Sequence, residues 1–291
     1  MYPLVSNVNQ DKLIMIDEDV CPRFKQLEAD ITKSEEWTTM FETKMGKDLL
    51  QPKLYNWLTE KTGEDLDLMK MSDVATYVNI AHYHDMKLTF DVDEEHYKWT
   101  RASSDQFVYQ WFAASEEVWM LAAREQLSLL SELVDVVFDG AAPNTKSTIN
   151  TNLYASSSGW SNPDMPYFWL LLGFQETLYP LSMALGLVRA KKFFFGASFY
   201  FEFLTKDSKE YVNMVFRNDK GVVENVQLEC SPSETDTACE KSAFKSFIDK
   251  RKETAYSIDC DTPYPDTKHT YADTDKFIAN LLEEIGLMGP E

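Results

Sequence analysis

The sequence predicts an α/β protein in which helices come first and a sheet follows. Apolar residues recur every three or four positions over much of residues 23–138, which is typical of helices packed on one side. An unbroken apolar run at 167–173 indicates a strand buried on both faces, as strands of parallel sheets are. Three later runs within 197–228, rich in aromatic and β-branched residues, indicate a β-meander.

The helical part is predicted to begin with several short helices and to end with a long one. Ser34, followed by Glu35 and Glu36, is typical of an N-cap with an acidic first turn, and Gly63 is typical of a helix end. The strongest amphipathic pattern covers 110–138 and predicts a single long helix. The Asn-, Ser- and Thr-rich segment 143–164 predicts a loop or a weak hairpin.

In the second part, helix-spaced leucines after the apolar run predict a helix. They are Leu178, Leu181, Leu185 and Leu187. Polar turns should separate the strands of the meander, and two short apolar patterns predict closing helices. The strands are expected at 197–204, 211–216 and 222–228, the turns at 205–210 and 218–221, and the helices at 244–248 and 277–285.

Composition argues against two classes of partner. The formal net charge is -20 and the basic patches are short, which argues against binding to nucleic acid or to an anionic membrane. The longest apolar stretch, 167–188, contains Gln175, Glu176 and Pro180, which disfavours a transmembrane helix. The first residues carry no targeting signal. We therefore expect no nucleic-acid partner and no direct membrane span.

Neither a metal site nor a cofactor is expected. His82 and His84 lie two apart, so on a helix they point to different sides and cannot chelate one ion. The acidic stretch around Asp91, Asp93, Glu94 and Glu95 lacks the spacing of a calcium loop and is interpreted as a solvated turn. Dinucleotide-binding, P-loop, zincin and nucleophile-elbow motifs are all absent from the sequence.

The cysteines leave two interpretations open. There are four, with no C-x-x-C pair and no histidine at a spacing typical of zinc. They are Cys21, Cys230, Cys239 and Cys260. An even number permits two disulfides, which would favour an oxidising compartment, but four buried thiols in the cytosol would give the same composition.

Four segments, in this order, resemble the histidine acid phosphatases, a branch of the histidine phosphatase superfamily. The first is Cys21-Pro22-Arg23-Phe24 with the residues up to 36, similar to the segment that opens the family's cap region. The second, 177–187, is similar to the stretch after the family's catalytic His-Asp. Residues 196–202 resemble its P-x-A-S strand, and 230–244 resemble its C-x-P…C…F close. Together they span nearly the whole chain.

The resemblance implies a mixed, mainly parallel sheet flanked by helices, with a helical cap region. Residues 1–20 would lead into the α/β core, 21–150 would form the cap, and 151–291 would form the C-terminal part of the core. It also implies two disulfides, Cys21 with Cys260 and Cys230 with Cys239. Disulfides favour the mitochondrial intermembrane space or a secretory or lysosomal lumen.

The same resemblance exposes missing catalytic groups. Family members hydrolyse phosphomonoesters through the histidine of an R-H-G-x-R-x-P motif, and no R-H-G occurs in this sequence. At the family's second histidine and its proton-donating aspartate stand Phe174 and Gln175. Phe174 can neither carry charge nor donate a hydrogen bond, and the amide of Gln175 has no acidic proton. The neighbouring Glu176 is the one substitute acid.

We therefore expect a pseudoenzyme that acts as a structural or interaction subunit of a larger assembly, for example a mitochondrial membrane complex. Without the strand that carries R-H-G, an interior slot of the sheet would be open, which predicts that a separate chain completes the fold. Two alternatives remain open. One is an acid phosphomonoester hydrolase that is active in a split or atypical form, and the other is a phosphate-ester-binding module.

Overall fold

The computed structural model describes residues 21–38, 53–66, 68–139, 175–187, 193, 195–233 and 235–261. The helices of these ranges are α1 (Pro22–Lys33), α2 (Glu35–Thr38), α3 (Asn56–Thr62), α4 (Leu68–Tyr83), α5 (Glu94–Ala113), α6 (Glu116–Asp139), α7 (Gln175–Ala184) and α8 (Lys241–Ser257). The strands are β1 (Ser198–Lys206), β2 (Lys209–Arg217), β3 (Val223–Val226) and β4 (Cys239–Glu240). The elements predicted at 143–164, 167–173 and 277–285 lie outside the described residues.

The chain divides into two compact units. Of the described residues, 21–25 and 116–261 belong to the first unit, and 26–115 belong to the second, apart from the gaps given above. The division into lead-in, cap and core segments stays a prediction. No helix in the described ranges is both long and apolar enough to cross a bilayer.

Two helix signals of the second unit are confirmed. The hydroxyl of Ser34 accepts a hydrogen bond from the backbone N–H of Trp37 at 3.1 Å, at the start of α2. Gly63 ends α3 in the left-handed conformation (φ 74°), and its N–H bonds to the carbonyl of Thr59. In the interior of the unit, the buried Asn79 of α4 and Thr100 of α5 form a reciprocal hydrogen-bonded pair.

The first unit packs α6 against both α7 and α8. The prediction of one helix over 110–138 is wrong at its start, because residues up to Ala113 belong to α5 and α6 begins at Glu116. Ser115 followed by two glutamates is a helix-starting sequence, and it interrupts an apolar pattern that otherwise runs on. From Val118 to Val136, α6 buries an apolar stripe.

Helix α7 ends at Ala184, three residues before the last of the helix-spaced leucines. Gly186 adopts φ 81°, its N–H bonds to the carbonyl of Met183, and the N–H of Leu187 bonds to the carbonyl of Ser182. This pair of bonds is a Schellman motif, which stops a helix and satisfies its last carbonyls. Leu185 and Leu187 therefore follow the helix, where both are buried.

The predicted β-meander is confirmed, but the direction of the sheet is not the expected one. Strand β2 pairs with β1, β3 and β4, and every pairing among the described strands is antiparallel. Asp207 and Ser208 join β1 to β2 with positive φ angles, as a two-residue hairpin requires. Strands joined by such short turns cannot run parallel. The implied mainly parallel sheet is thus not what the described residues form.

Candidate functional site

Two of the three positions that the resemblance singles out lie in the first turn of α7. Phe174 lies outside the described residues, and Gln175 and Glu176 are the first two residues of the helix. Nε2 of Gln175 donates a hydrogen bond of 2.7 Å to the carbonyl oxygen of Phe193. The amide is thereby held against the backbone of a buried residue.

Phe193 is the centre of an aromatic cluster. It is 1 % exposed, and its ring meets the ring of Tyr179 edge-on at 4.7 Å between centroids. Phe199 of β1 and Phe216 of β2 lie 5.2 and 5.7 Å from the same ring. These edge-to-face contacts bring α7 and the sheet together. The hydrogen bond of Gln175 therefore ends on a buried residue that packs against both α7 and the sheet.

The carboxylate of Glu176 lies at a helix start, a common position for a negatively charged side chain. It is partly exposed and lies in the first turn of α7, where the helix dipole stabilises negative charge. The role of substitute acid stays a prediction for this residue.

Both disulfides that the resemblance implies are present in the structure. Cys21 is bonded to Cys260 across 239 positions, and Cys230 is bonded to Cys239 across nine. The first bond ties the start of α1 to the segment after α8, and the N–H of Arg23 adds a backbone hydrogen bond to the carbonyl of Cys260. The second bond joins the turn after β3 to strand β4.

A buried ion pair lies directly beside the long disulfide. The side chain of Arg23 is fully buried, and its Nε and Nη2 donate to the two carboxylate oxygens of Glu117 at 2.7 and 2.9 Å. This bidentate geometry is the strong form of an arginine–carboxylate pair. The pair could not be predicted from the sequence, because its members are 94 positions apart and the one available signal was a charged residue inside the Cys-Pro-Arg-Phe segment.

Arg124 and Tyr256 extend this cluster. Nη1 of Arg124 lies 3.2 Å from Sγ of Cys260, and its guanidinium lies 4.9 Å from the centre of the Tyr256 ring. The hydroxyl of Tyr256 donates to Oε2 of Glu125 at 3.2 Å. Burial, followed by the nearby charge of Glu125, raises the pKa of Tyr256. Every polar group of the cluster contacts protein, so we interpret the cluster as structural.

Two of the residues singled out in the sequence, His82 and Asp93, have structural contacts. His82 lies in the last turn of α4 and stacks on Tyr97 at 3.6 Å between ring centroids. Asp93 is the N-cap of α5, and its Oδ1 accepts from the backbone N–H and the ring Nδ1 of His96, both at 2.8 Å. No group of three His, Cys, Asp or Glu side chains suited to a metal occurs among the described residues.

The Asp93 cap predicts a pH dependence of stability. The hydrogen bond from the backbone of His96, followed by the bond from its ring, lowers the pKa of Asp93 below 3.8. A lowered folded-state pKa stabilises the fold above the unfolded-state pKa, and this stabilisation is lost as the pH falls through the folded-state value. Urea midpoints measured from about pH 5 to about pH 2 should fall further for the natural protein than for Asp93→Asn, which caps at every pH. Parallel curves for the two proteins would contradict the assignment.

No protein-family model matches the chain, and no curated protein matches it significantly.

Proposed function

We propose that this chain is a catalytically inactive relative of the histidine acid phosphatases that acts as a structural or interaction subunit of a larger assembly. The observation that carries the proposal is the hydrogen bond from Gln175 to the carbonyl of Phe193. Where the resemblance implies a general acid, the side chain is a neutral amide bonded to the backbone of a packed aromatic cluster. Such a group has no proton to give to a leaving group.

Two further features support the relationship itself. The two disulfides join the four cysteines in the pairing that the resemblance implies. The segment similar to the family's P-x-A-S strand leads into β1, and the one similar to the stretch after its His-Asp lies mainly in α7. Disulfides of this kind persist in an oxidising compartment, where we place the protein.

The surface supports an interaction role with a basic partner. The net charge of -20 favours partner surfaces rich in lysine and arginine, which such a charge attracts over long range. Tyr77 and Tyr83, in the second half of α4, and Met86, just after the helix, are each more than half exposed. Aromatic residues and methionine are enriched in the cores of protein interfaces.

An acid phosphatase assay on the purified full chain tests the loss of catalysis. With para-nitrophenyl phosphate between pH 4 and pH 6, we expect turnover at least about 10⁴-fold below that of an active family member. Removing the general acid alone costs about 10²–10⁴ in rate, and removing a phosphate-binding donor costs about 10²–10³ more.

The variant Glu176→Gln decides whether any turnover belongs to this site. Turnover that this variant abolishes, and that the exposed control Glu253→Gln retains, would make Glu176 a working acid and overturn the proposal. Turnover that copurifies with the chain and survives both substitutions would also contradict the proposal that the protein is inactive.

A further inference from the structure

A pocket of about 380 Å³ lies between α3 and α5 in the second unit. Each helix contributes three residues to the lining, with the same spacing of one and three positions. The contributing residues are Asn56, Trp57 and Glu60 from α3, and Glu95, His96 and Trp99 from α5. The volume is within the range of about 300–1,000 Å³ that is typical of small-molecule sites.

The aromatic wall of the pocket is held in place by neighbouring groups. The indole of Trp57 stacks on the ring of His96 at 4.3 Å with an interplanar angle of 21°, and Phe90 meets the indole edge-on. The His96 ring is itself fixed by its bond to Asp93. Trp57 is therefore oriented before any ligand arrives, which reduces the entropic cost of binding.

Hydrogen-bond donors and acceptors lie together around this wall. Lys53, three residues before the start of α3, forms an exposed ion pair of 3.3 Å with Glu95 at the rim. The amide of Asn56 offers a donor and an acceptor, and it has no hydrogen-bond partner among the described residues. One carboxylate oxygen of Glu60 accepts from Lys61. The pocket can therefore both donate to and accept from a ligand.

We propose that this pocket binds one pyranose sugar unit without covalent chemistry. A pyranose ring has an apolar C–H face that packs on an indole, and its hydroxyls both donate and accept. An inorganic anion fits less well, because the pocket contains the carboxylates of Glu60 and Glu95 and only one ammonium group, that of Lys53, which is already paired. An apolar ligand would bury the Lys53–Glu95 pair without replacing its hydration. The inference rests on residues 53–60 and 90–99 of the second unit and is independent of the proposed function.

Saturation-transfer NMR on the full chain tests the proposal. The probes are the methyl glycosides of glucose, galactose and mannose, together with N-acetylglucosamine, each titrated to about 50 mM to cover millimolar Kd values. We expect saturable binding of at least one sugar. Trp57→Ala should weaken it at least about fivefold through the lost ring contact. Asn56→Ala and Glu60→Gln should each weaken it about threefold to tenfold. The matched control Glu64→Gln, exposed and outside the pocket, should bind like the natural protein.

Three results would overturn the sugar assignment. They are no binding by any of the four probes, binding that all three pocket variants leave unchanged, and displacement of the bound sugar by sodium phosphate or tetramethylammonium chloride at equal concentration. Far-UV circular dichroism checks the fold of each variant. If Trp57→Ala unfolds, the exposed Asn56→Ala and Glu60→Gln variants decide the question alone.

Discussion

Replacing both Cys21 and Cys260 with alanine is expected to lower the free energy of unfolding by about 5 kcal/mol. The bond spans 239 positions, and the chain-entropy model assigns a loop of that length about 5 kcal/mol. Cys21 is also buried beside the Arg23–Glu117 pair, so its loss loosens the start of α1. Urea unfolding of the two proteins under non-reducing conditions, followed by circular dichroism, measures the difference.

The short disulfide provides the matched control. Cys230 and Cys239 lie nine positions apart, so replacing both with alanine should cost only about 2.5 kcal/mol in the same model. If the short bond proves to stabilise the protein as much as the long one, the entropic account of the Cys21–Cys260 bond is wrong.

Removing Glu117 is expected to cost about 3 kcal/mol. The Glu117→Ala variant leaves the fully buried guanidinium of Arg23 without its bidentate carboxylate, and breaking one side of a buried pair typically costs about 3–5 kcal/mol. The pair between Arg251 and Glu229 is the control from the same unit. Because Glu229 is two-thirds exposed, Glu229→Ala should cost under about 1 kcal/mol.

A double substitution distinguishes the contribution of the charge pair to stability from the contribution of side-chain packing at this site. Arg23→Met combined with Glu117→Leu removes both charges while keeping most of the volume, and its stability should return to within about 1 kcal/mol of the natural protein. If the double variant is as unstable as Glu117→Ala, the site contributes through shape and not through charge.

Local signals in the sequence predicted the elements whose causes are themselves local. The cap at Ser34, the helix end at Gly63 and the three meander strands were all predicted, because each depends on a few adjacent residues. The break at Ala114–Ser115 was missed because the apolar stripe continues through it. The antiparallel direction was also encoded locally, in the short turn at Asp207–Ser208, but the expectation of a mainly parallel sheet came from the family resemblance.

The sites were harder to predict because packing brings distant residues together. Arg23 and Glu117 meet across 94 positions, and Trp57 meets His96 only after α3 and α5 pack. The disulfide pairing followed from the family resemblance, since the cysteine spacing alone left it open. The sequence shows the same spacing twice, in Asn56, Trp57 and Glu60 and in Glu95, His96 and Trp99. Only the structure shows that these six residues line one pocket.

Native mass spectrometry of the protein, purified gently from its source, tests the central claim most directly. If the chain is a non-catalytic subunit of an assembly, the measured mass should exceed that of one chain. Denaturing analysis of the same species should release at least one different polypeptide. Raising the salt concentration should dissociate a basic partner from a surface with this net charge. A compact species with the mass of a single chain, at low as well as high salt, would contradict the interaction role.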